Sequence, residues 1–214
     1  MSDKPHGRRD RYDISGNVEA EFADEAKTVL ANLQGIVDLA TLQLAERKGV
    51  ATAYETLLNE VRADTNITVE LVRHMHKLIF GGLYAWAGQW RTVWISKPGI
   101  TWPAPDFIEP AMLDFERSTL HKYPAELLDT DAKFCQAAAE IQGEFLVIHP
   151  FREGNARTIK MATNLLAVQT ARPFLNYDES EAGIESYSAA AAAAFKRDYG
   201  PMAAIIRAAL AAAQ

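Results

Sequence analysis

The stretch IHPFREGNARTIK, residues 148–160, constrains the fold more than any other part of the chain. Apolar residues lead into it at helical spacing, with Phe134, Ala138, Ile141, Phe145 and Ile148 on one stripe. Pro150 has no amide hydrogen and a fixed φ, so the helix carrying that stripe has to stop there. A second helical pattern leads out near Asn155. It has Ile159, Ala162 and Leu166 on one face, Met161, Leu165 and Val168 beside it, and an end before Pro173. The chain therefore makes a helix–loop–helix whose connection, residues 151–155, is polar where two apolar helices meet.

Helical patterns dominate elsewhere. Phe22, Ala26, Val29, Leu30 and Leu33 predict a helix over about Glu19 to Leu44, and Ala53, Leu57 and Leu58 a second from Val50 to Val61. In NITVELVRHMHKLIFGG, Thr68 can cap a helix that carries Glu70 in its first turn and Leu71, Met75 and Leu78 on one face; Gly81-Gly82 ends it. The texture then changes. QWRTVWISKPGITWPAPDF is aromatic and β-branched and closes on Gly and Pro, which predicts a short strand or hairpin arm from Arg91 to Ser96. Helices resume from Pro110, and an alanine-rich helix or pair occupies Glu185 to Ala213, broken near Gly200-Pro201. The expected fold class is all-α with one small β-hairpin. Residues 1–16 read as a flexible N-terminal arm and 17–214 as a single domain, long enough to bury a sizeable core.

Composition narrows the partners. A net charge of -6 gives no electrostatic footprint for non-specific nucleic-acid binding, so no nucleic-acid partner is expected. The single Cys135 allows no intramolecular disulfide and no multi-cysteine zinc site. The opening MSDKPHGRRDRYD lacks the apolar core of a secretory signal, and no apolar run approaches the ~20 residues of a membrane span. The expectation is a protein of the cytoplasm, or one delivered into a host cell, with no membrane partner.

The polar loop carries the chemistry. The start of a helix presents unpaired N–H groups and a positive partial charge, and Gly154 lets backbone approach a ligand closely. Arg157 and Lys160 lie three apart in the first turns and share a face. Such a set suits an anion, most naturally a phosphate chain. Glu153 would repel that anion unless a divalent cation sits between them, and Mg²⁺ held by one carboxylate plus phosphate oxygens resolves the conflict. His149, next to the loop, has a side chain suited to act as general base toward a hydroxyl. Taken singly, each feature has a structural reading: a histidine at a helix end, a glutamate before Gly-Asn, two cations on a solvated face. Their conjunction in one helix–loop–helix points to a ligand. A His-x-x-x-Glu pair has too few ligands for zinc. His74 and His76, two apart, cannot share a helix face and read as structural or surface groups.

The stretch from His149 to Lys160 resembles the signature of the Fic family, His-Pro-Phe-x-(Asp/Glu)-Gly-Asn-Gly-Arg-x-x-Arg. Upstream, MHKLIFGGLYAWAGQWRTVWISKPG is similar to that family's helix, Tyr-x-Trp-Ala-Gly segment and flap hairpin, so the likeness covers about residues 66–170. The resemblance implies a helical domain that transfers AMP from ATP to a Ser, Thr or Tyr hydroxyl of a target protein and releases pyrophosphate. It gives His149 the role of base and Glu153 the Mg²⁺. Gly154, Asn155 and Ala156 become the anion cradle, with Arg157 and Lys160 on the phosphates. The flap formed by Val93, Trp94, Ile95, Ser96 and Lys97 would pair with the target's backbone. Other transfers occur in the family, among them UMP, phosphocholine and kinase-like phosphoryl transfer. Retention of Gly154-Asn155 favours AMP.

Two positions depart from the pattern. Ala156 replaces a glycine, which is tolerable at a helix start where φ is negative. Lys160 replaces an arginine and loses the planar fork that grips phosphate. The second substitution implies an attenuated enzyme, or a degenerate domain that binds nucleotide or a partner without turnover. Self-inhibited relatives carry Ser/Thr-x-x-x-Glu-Gly/Asn. The nearest approaches here, Ser15 to Ala20 through Glu19 and Thr56 to Val61 through Glu60, fail at the last residue. The resemblance therefore implies a small antitoxin supplying the inhibitory glutamate in trans, or regulation of another kind.

Overall fold

The computed structural model describes residues 17–62 and 64–214, so the expected arm over 1–16 lies outside the described residues. Among the described residues, seven α-helices, three single-turn 3-10 helices and one two-stranded hairpin make up the regular structure, in agreement with the expected fold class. The α-helices and strands are α1 (Leu39–Glu60), α2 (Val69–Phe80), β1 (Ser96–Lys97), β2 (Ile100–Thr101), α3 (Ile108–Ser118), α4 (Asp131–Ile148), α5 (Asn155–Gln169), α6 (Glu181–Ala194) and α7 (Gly200–Ala211). Helix α4 is the centre, packed against α3, α5, α6 and α7, while α2 bridges α1 and α5. Its buried set (Phe134, Cys135, Ala138, Ile141, Phe145 and others) extends well beyond one stripe, because neighbours surround it.

The helix expected from Glu19 to Leu44 forms only over its last six residues, which open α1. Ahead of them, side chains capture the backbone first. The Asp24 carboxylate accepts from the amides of Thr28 (2.9 Å) and Val29 (2.7 Å), and Phe22 pairs with Leu30 across the turn. Asn32 then closes a second turn by accepting from the Ile36 amide at 2.9 Å. Asp38 caps α1 through the Thr41 amide (2.8 Å), and the helix continues unbroken through Gly49 to Glu60. Gly49 has a packing role: a Cβ there would stand 2.2 Å from the Ile79 carbonyl oxygen of α2.

Helix α2 is capped by Thr68 as expected. Its inward face, however, runs through Val72, Met75, His76 and Ile79, with Leu71 and Leu78 half-buried on the flanks. The hairpin is shorter and later than predicted. Ser96 pairs with Thr101 and Lys97 with Ile100 around Pro98-Gly99, and residues 91–95 form an irregular lead-in. The alanine-rich region divides at residues 195–199. Pro201 opens α7 and does not end α6, as suits a residue whose missing amide hydrogen costs nothing in a first turn. No described helix is long and apolar enough to cross a membrane.

Candidate functional site

Helix α4 ends on His149, which adopts a left-handed backbone (φ 52°) uncommon outside glycine. Its neighbours hold it there. The His149 amide donates to Phe145 O (2.8 Å), Arg91 Nε donates to His149 O (2.8 Å), and the Arg91 amide donates to Pro150 O (2.8 Å). Trp102 packs its ring 4.3 Å from the imidazole and donates its indole N–H to Leu146 O at 2.9 Å.

The same Leu146 carbonyl lies 3.3 Å from His149 Nδ1. A carbonyl can only accept, so the proton belongs on Nδ1 and the Nε2 lone pair is left to take a proton. Burial pushes the His149 pKa down to about 4, with the Leu146 bond and Glu153 opposing. A half-buried imidazole that stays neutral at physiological pH is what a general base requires.

The loop is built from both sides. Phe151 is fully buried and stacks on His76 with ring centroids 3.8 Å apart. Asn155 clamps Phe151 twice, accepting from its amide and donating to its carbonyl, each at 2.9 Å. The Asn155 side chain is thus spent on the loop itself, and only its backbone can serve a cradle. His76 accepts from the Gly88 amide at Nδ1 (2.8 Å), so Nε2 carries the proton and donates to Glu153 O (3.0 Å). Burial depresses the His76 pKa to about 3, which keeps the ring neutral. The structural reading of His76 holds, with the added point that it fixes the backbone of Glu153.

Gly154 (φ 80°) precedes α5 and gives no side-chain cap, so the first-turn amides of Asn155, Ala156 and Arg157 are left for a ligand. A Cβ at Gly154 would lie 2.2 Å from the Phe80 ring, which makes glycine obligatory. Glu153 is half-exposed and takes the Gly154 amide (2.8 Å) and Arg157 Nη2 (3.2 Å) on one carboxylate oxygen. Among the described residues no three His, Cys, Asp or Glu gather into a metal cage. A divalent ion at Glu153 would draw its remaining oxygens from phosphate and water, as Mg²⁺ commonly does.

The two cations expected on one face part company. Arg157 leans toward α1, where Nη1 meets Glu46 Oε2 at 2.7 Å and the guanidinium lies 4.8 Å from the Phe80 ring centroid. Lys160 turns the other way and sets Nζ 4.2 Å from the Tyr177 centroid and 4.1 Å from that of Tyr187. Burial lowers its pKa. Lys160 and Ala156 line a groove of about 840 Å³ shared with Arg47 of α1, Tyr187 of α6 and Ala209 of α7.

Glu46 is the site residue that sequence reasoning missed. Its carboxylate is buried and also accepts from Tyr84 OH at 2.9 Å. The available signal was an acid four residues after Leu42 on the buried face that continues through Ala53 and Leu57. In the flap, Trp94, Ser96 and Lys97 are exposed and Ile95 is half-buried, but Val93 is 4% exposed. The Val93 side chain is therefore committed to the interior, which leaves its backbone as the part that can meet a docking strand.

An imidazole at the end of one helix, and a carboxylate and an uncapped helix start at the beginning of the next, meet in one helix–loop–helix of an α-helical domain. The chain belongs to the Fic/DOC family, whose profile matches residues 66–167. It is 30% identical over 184 residues to the probable protein adenylyltransferase y4lH of Sinorhizobium fredii, covering 84% of this chain and 90% of that one. It is also 30% identical over 172 residues to protein adenylyltransferase VbhT of Bartonella schoenbuchensis, covering 78% of this chain and 35% of VbhT. The chain thus spans about a third of VbhT. Among solved structures, the Bep8 FIC domain from Bartonella sp. 1-1C aligns with a TM-score of 0.73 at 16% identity, covering 88% of this chain and 94% of that one. BepC of Bartonella tribocorum, described with bound AMPPNP, aligns at 0.70 and 18% identity, covering 90% and 97%. These structures share the fold.

Proposed function

We propose that the chain is a protein adenylyltransferase that moves AMP from Mg-ATP onto a Ser, Thr or Tyr hydroxyl of a target protein. The observation that carries this reading is the neutral His149, with Nε2 unprotonated, next to the uncapped start of α5 and Glu153. Two relatives named adenylyltransferases support it.

In this mechanism the amides of Asn155, Ala156 and Arg157 cradle the phosphates, and Arg157 and Lys160 neutralise their charge. Glu153 would hold Mg²⁺, which would supply further charge neutralisation along the phosphate chain. His149 Nε2 accepts the target hydroxyl's proton as its oxygen bonds to the α-phosphorus. The α–β bridging bond breaks and pyrophosphate leaves. Residues 93–97 present an edge for the target's backbone to add as a strand. Positioning and electrostatics supply most of the acceleration, with general base catalysis contributing ~10²–10⁴-fold.

The test is incubation with α-labelled ATP, Mg²⁺ and cell lysate, in the cytoplasmic and the host-cell setting. Label should appear on a protein band with the native chain and disappear with His149→Ala; bands that persist equally in both sink the reading.

Regulation through an in-chain copy of the inhibitory motif finds no support at its two nearest approaches. Glu19 is bound to Thr92, and Glu60 pairs with His74 at 2.7 Å. The reading here is that a small antitoxin lays a helix in the groove beside Lys160 and brings the glutamate in trans. Adding such a partner should suppress labelling; unchanged labelling counts against it.

One observation favours a second reading. Lys160 is held between two tyrosine rings, so a degenerate domain that binds nucleotide without turnover would also fit. Nucleotide binding without labelled product would select it.

A further inference from the structure

Arg91 is a charged side chain only 2% exposed, and the transfer mechanism does not use it. Its donors reach three backbone carbonyls. Nε meets His149 O at 2.8 Å, Nη1 meets Val93 O at 2.9 Å, and Nη2 meets Pro103 O at 2.7 Å. Val93 and Pro103 flank the hairpin on its two sides, and His149 is the general base of the proposed reaction. A planar, rigid fork is the group able to fix three such points relative to one another. The flap base is braced further from outside: the Glu19 carboxylate accepts from the Thr92 amide (2.9 Å) and the Glu19 carbonyl accepts from Arg152 Nε (2.7 Å).

Resting on the adenylyltransferase reading, we propose that Arg91 is a positioning residue for the target protein. It locks both feet of the docking hairpin to the backbone of His149, so that a hydroxyl presented on the flap arrives at the imidazole. Nucleotide binding does not depend on it, because neither Arg91 nor the carbonyls it holds belong to the cradle.

Arg91→Lys keeps the charge and loses the fork. In the folded variant, exchange of the Thr92 amide and the Trp102 indole N–H should quicken about tenfold, the effect of losing ~1.4 kcal/mol of local stability. Amides of residues 134–146 should keep their protection. The target's KM should rise about tenfold while that of ATP stays within about twofold, a split that general destabilisation would not produce. Unchanged exchange at the hairpin feet, or exchange that rises in step with α4, overturns the proposal. If Arg91→Lys does not fold, the unaltered protein decides: a scalar coupling across the hydrogen bond from Arg91 Nε–H to the His149 carbonyl supports the lock, and a rapidly exchanging Nε–H refutes it. Exchange and coupling do not need turnover. A native chain that transfers no nucleotide therefore defeats the proposed function without deciding this point.

Discussion

Glu46 in α1 and Arg157 in α5 form an ion pair of 2.7 Å although 111 residues separate them. The contact joins a helix outside the signature to the arginine that would grip phosphate. Tyr84 steadies the carboxylate from a third side. Arg157→Ala would leave Glu46 charged in a buried position without its counter-ion, which costs about 3 kcal/mol. Chemical denaturation should show that loss, and Glu46→Gln in the same background should recover part of it. Titration calorimetry should show weaker nucleotide binding by Arg157→Ala as well.

In the proposed reaction, His149 would set the acid limit. Its folded pKa of about 4 lies below the ordinary histidine value, so the base is unprotonated throughout the neutral range. With ATP and target both well below saturation, the transfer rate, which then follows kcat/KM, should be flat from about pH 8 to about pH 5.5. A loss of rate centred on the ordinary histidine pKa, about 6.5, would mean that the imidazole is solvated and not held as described.

His76 links stability to pH in the same direction. Its folded pKa of about 3 is below its unfolded value, so between those values the unfolded chain binds more protons. The stabilisation is complete above about pH 6.5 and drains away as pH falls. Thermal melts from pH 7.5 to 4.5 should show a falling midpoint, with a shallower slope in His76→Asn. At pH 7.5 that variant should be less stable by about 1–3 kcal/mol, because Glu153 O and the Gly88 amide lose their partner.

The two small residues of the loop should behave oppositely. Gly154→Ala must place a methyl group 2.2 Å from the Phe80 ring at a φ of 80°, and should lose at least about 3 kcal/mol or fail to fold. Ala156→Gly lies in the first turn of α5 and should cost no more than about 1 kcal/mol. Paired melts of the two variants check this contrast.

Lys160→Arg should raise the transfer rate roughly fivefold, equivalent to about 1 kcal/mol, by restoring a fork that stacks on Tyr177 and Tyr187 and can still donate to phosphate. An unchanged rate would show that lysine is no handicap in this setting.

Much of the site was legible because its signals were local. Pro150 had to end a helix, Gly154 had to precede one, and the stripe from Phe134 to Ile148 left no doubt about what led in. Residues 19–38 misled because their apolar spacing was helical while Asp24 and Asn32 offered the backbone better partners at close range. Periodicity does not record such competition. The burial of the Val93 side chain was not legible because alternation is invisible in an irregular lead-in. Glu46 and Arg91 escaped, and the hold of His76 on Glu153 with them, because each acts on a carbonyl or charge brought near by tertiary packing.

The backbone of the segment from His149 to Asn155 is held from outside itself by an imidazole on α2 and a guanidinium ahead of the hairpin. Grafting the twelve signature residues onto an unrelated pair of helices would accordingly transplant the letters and leave behind their shape. Engineers wishing to borrow this centre would need to move the strut and the fork together with it.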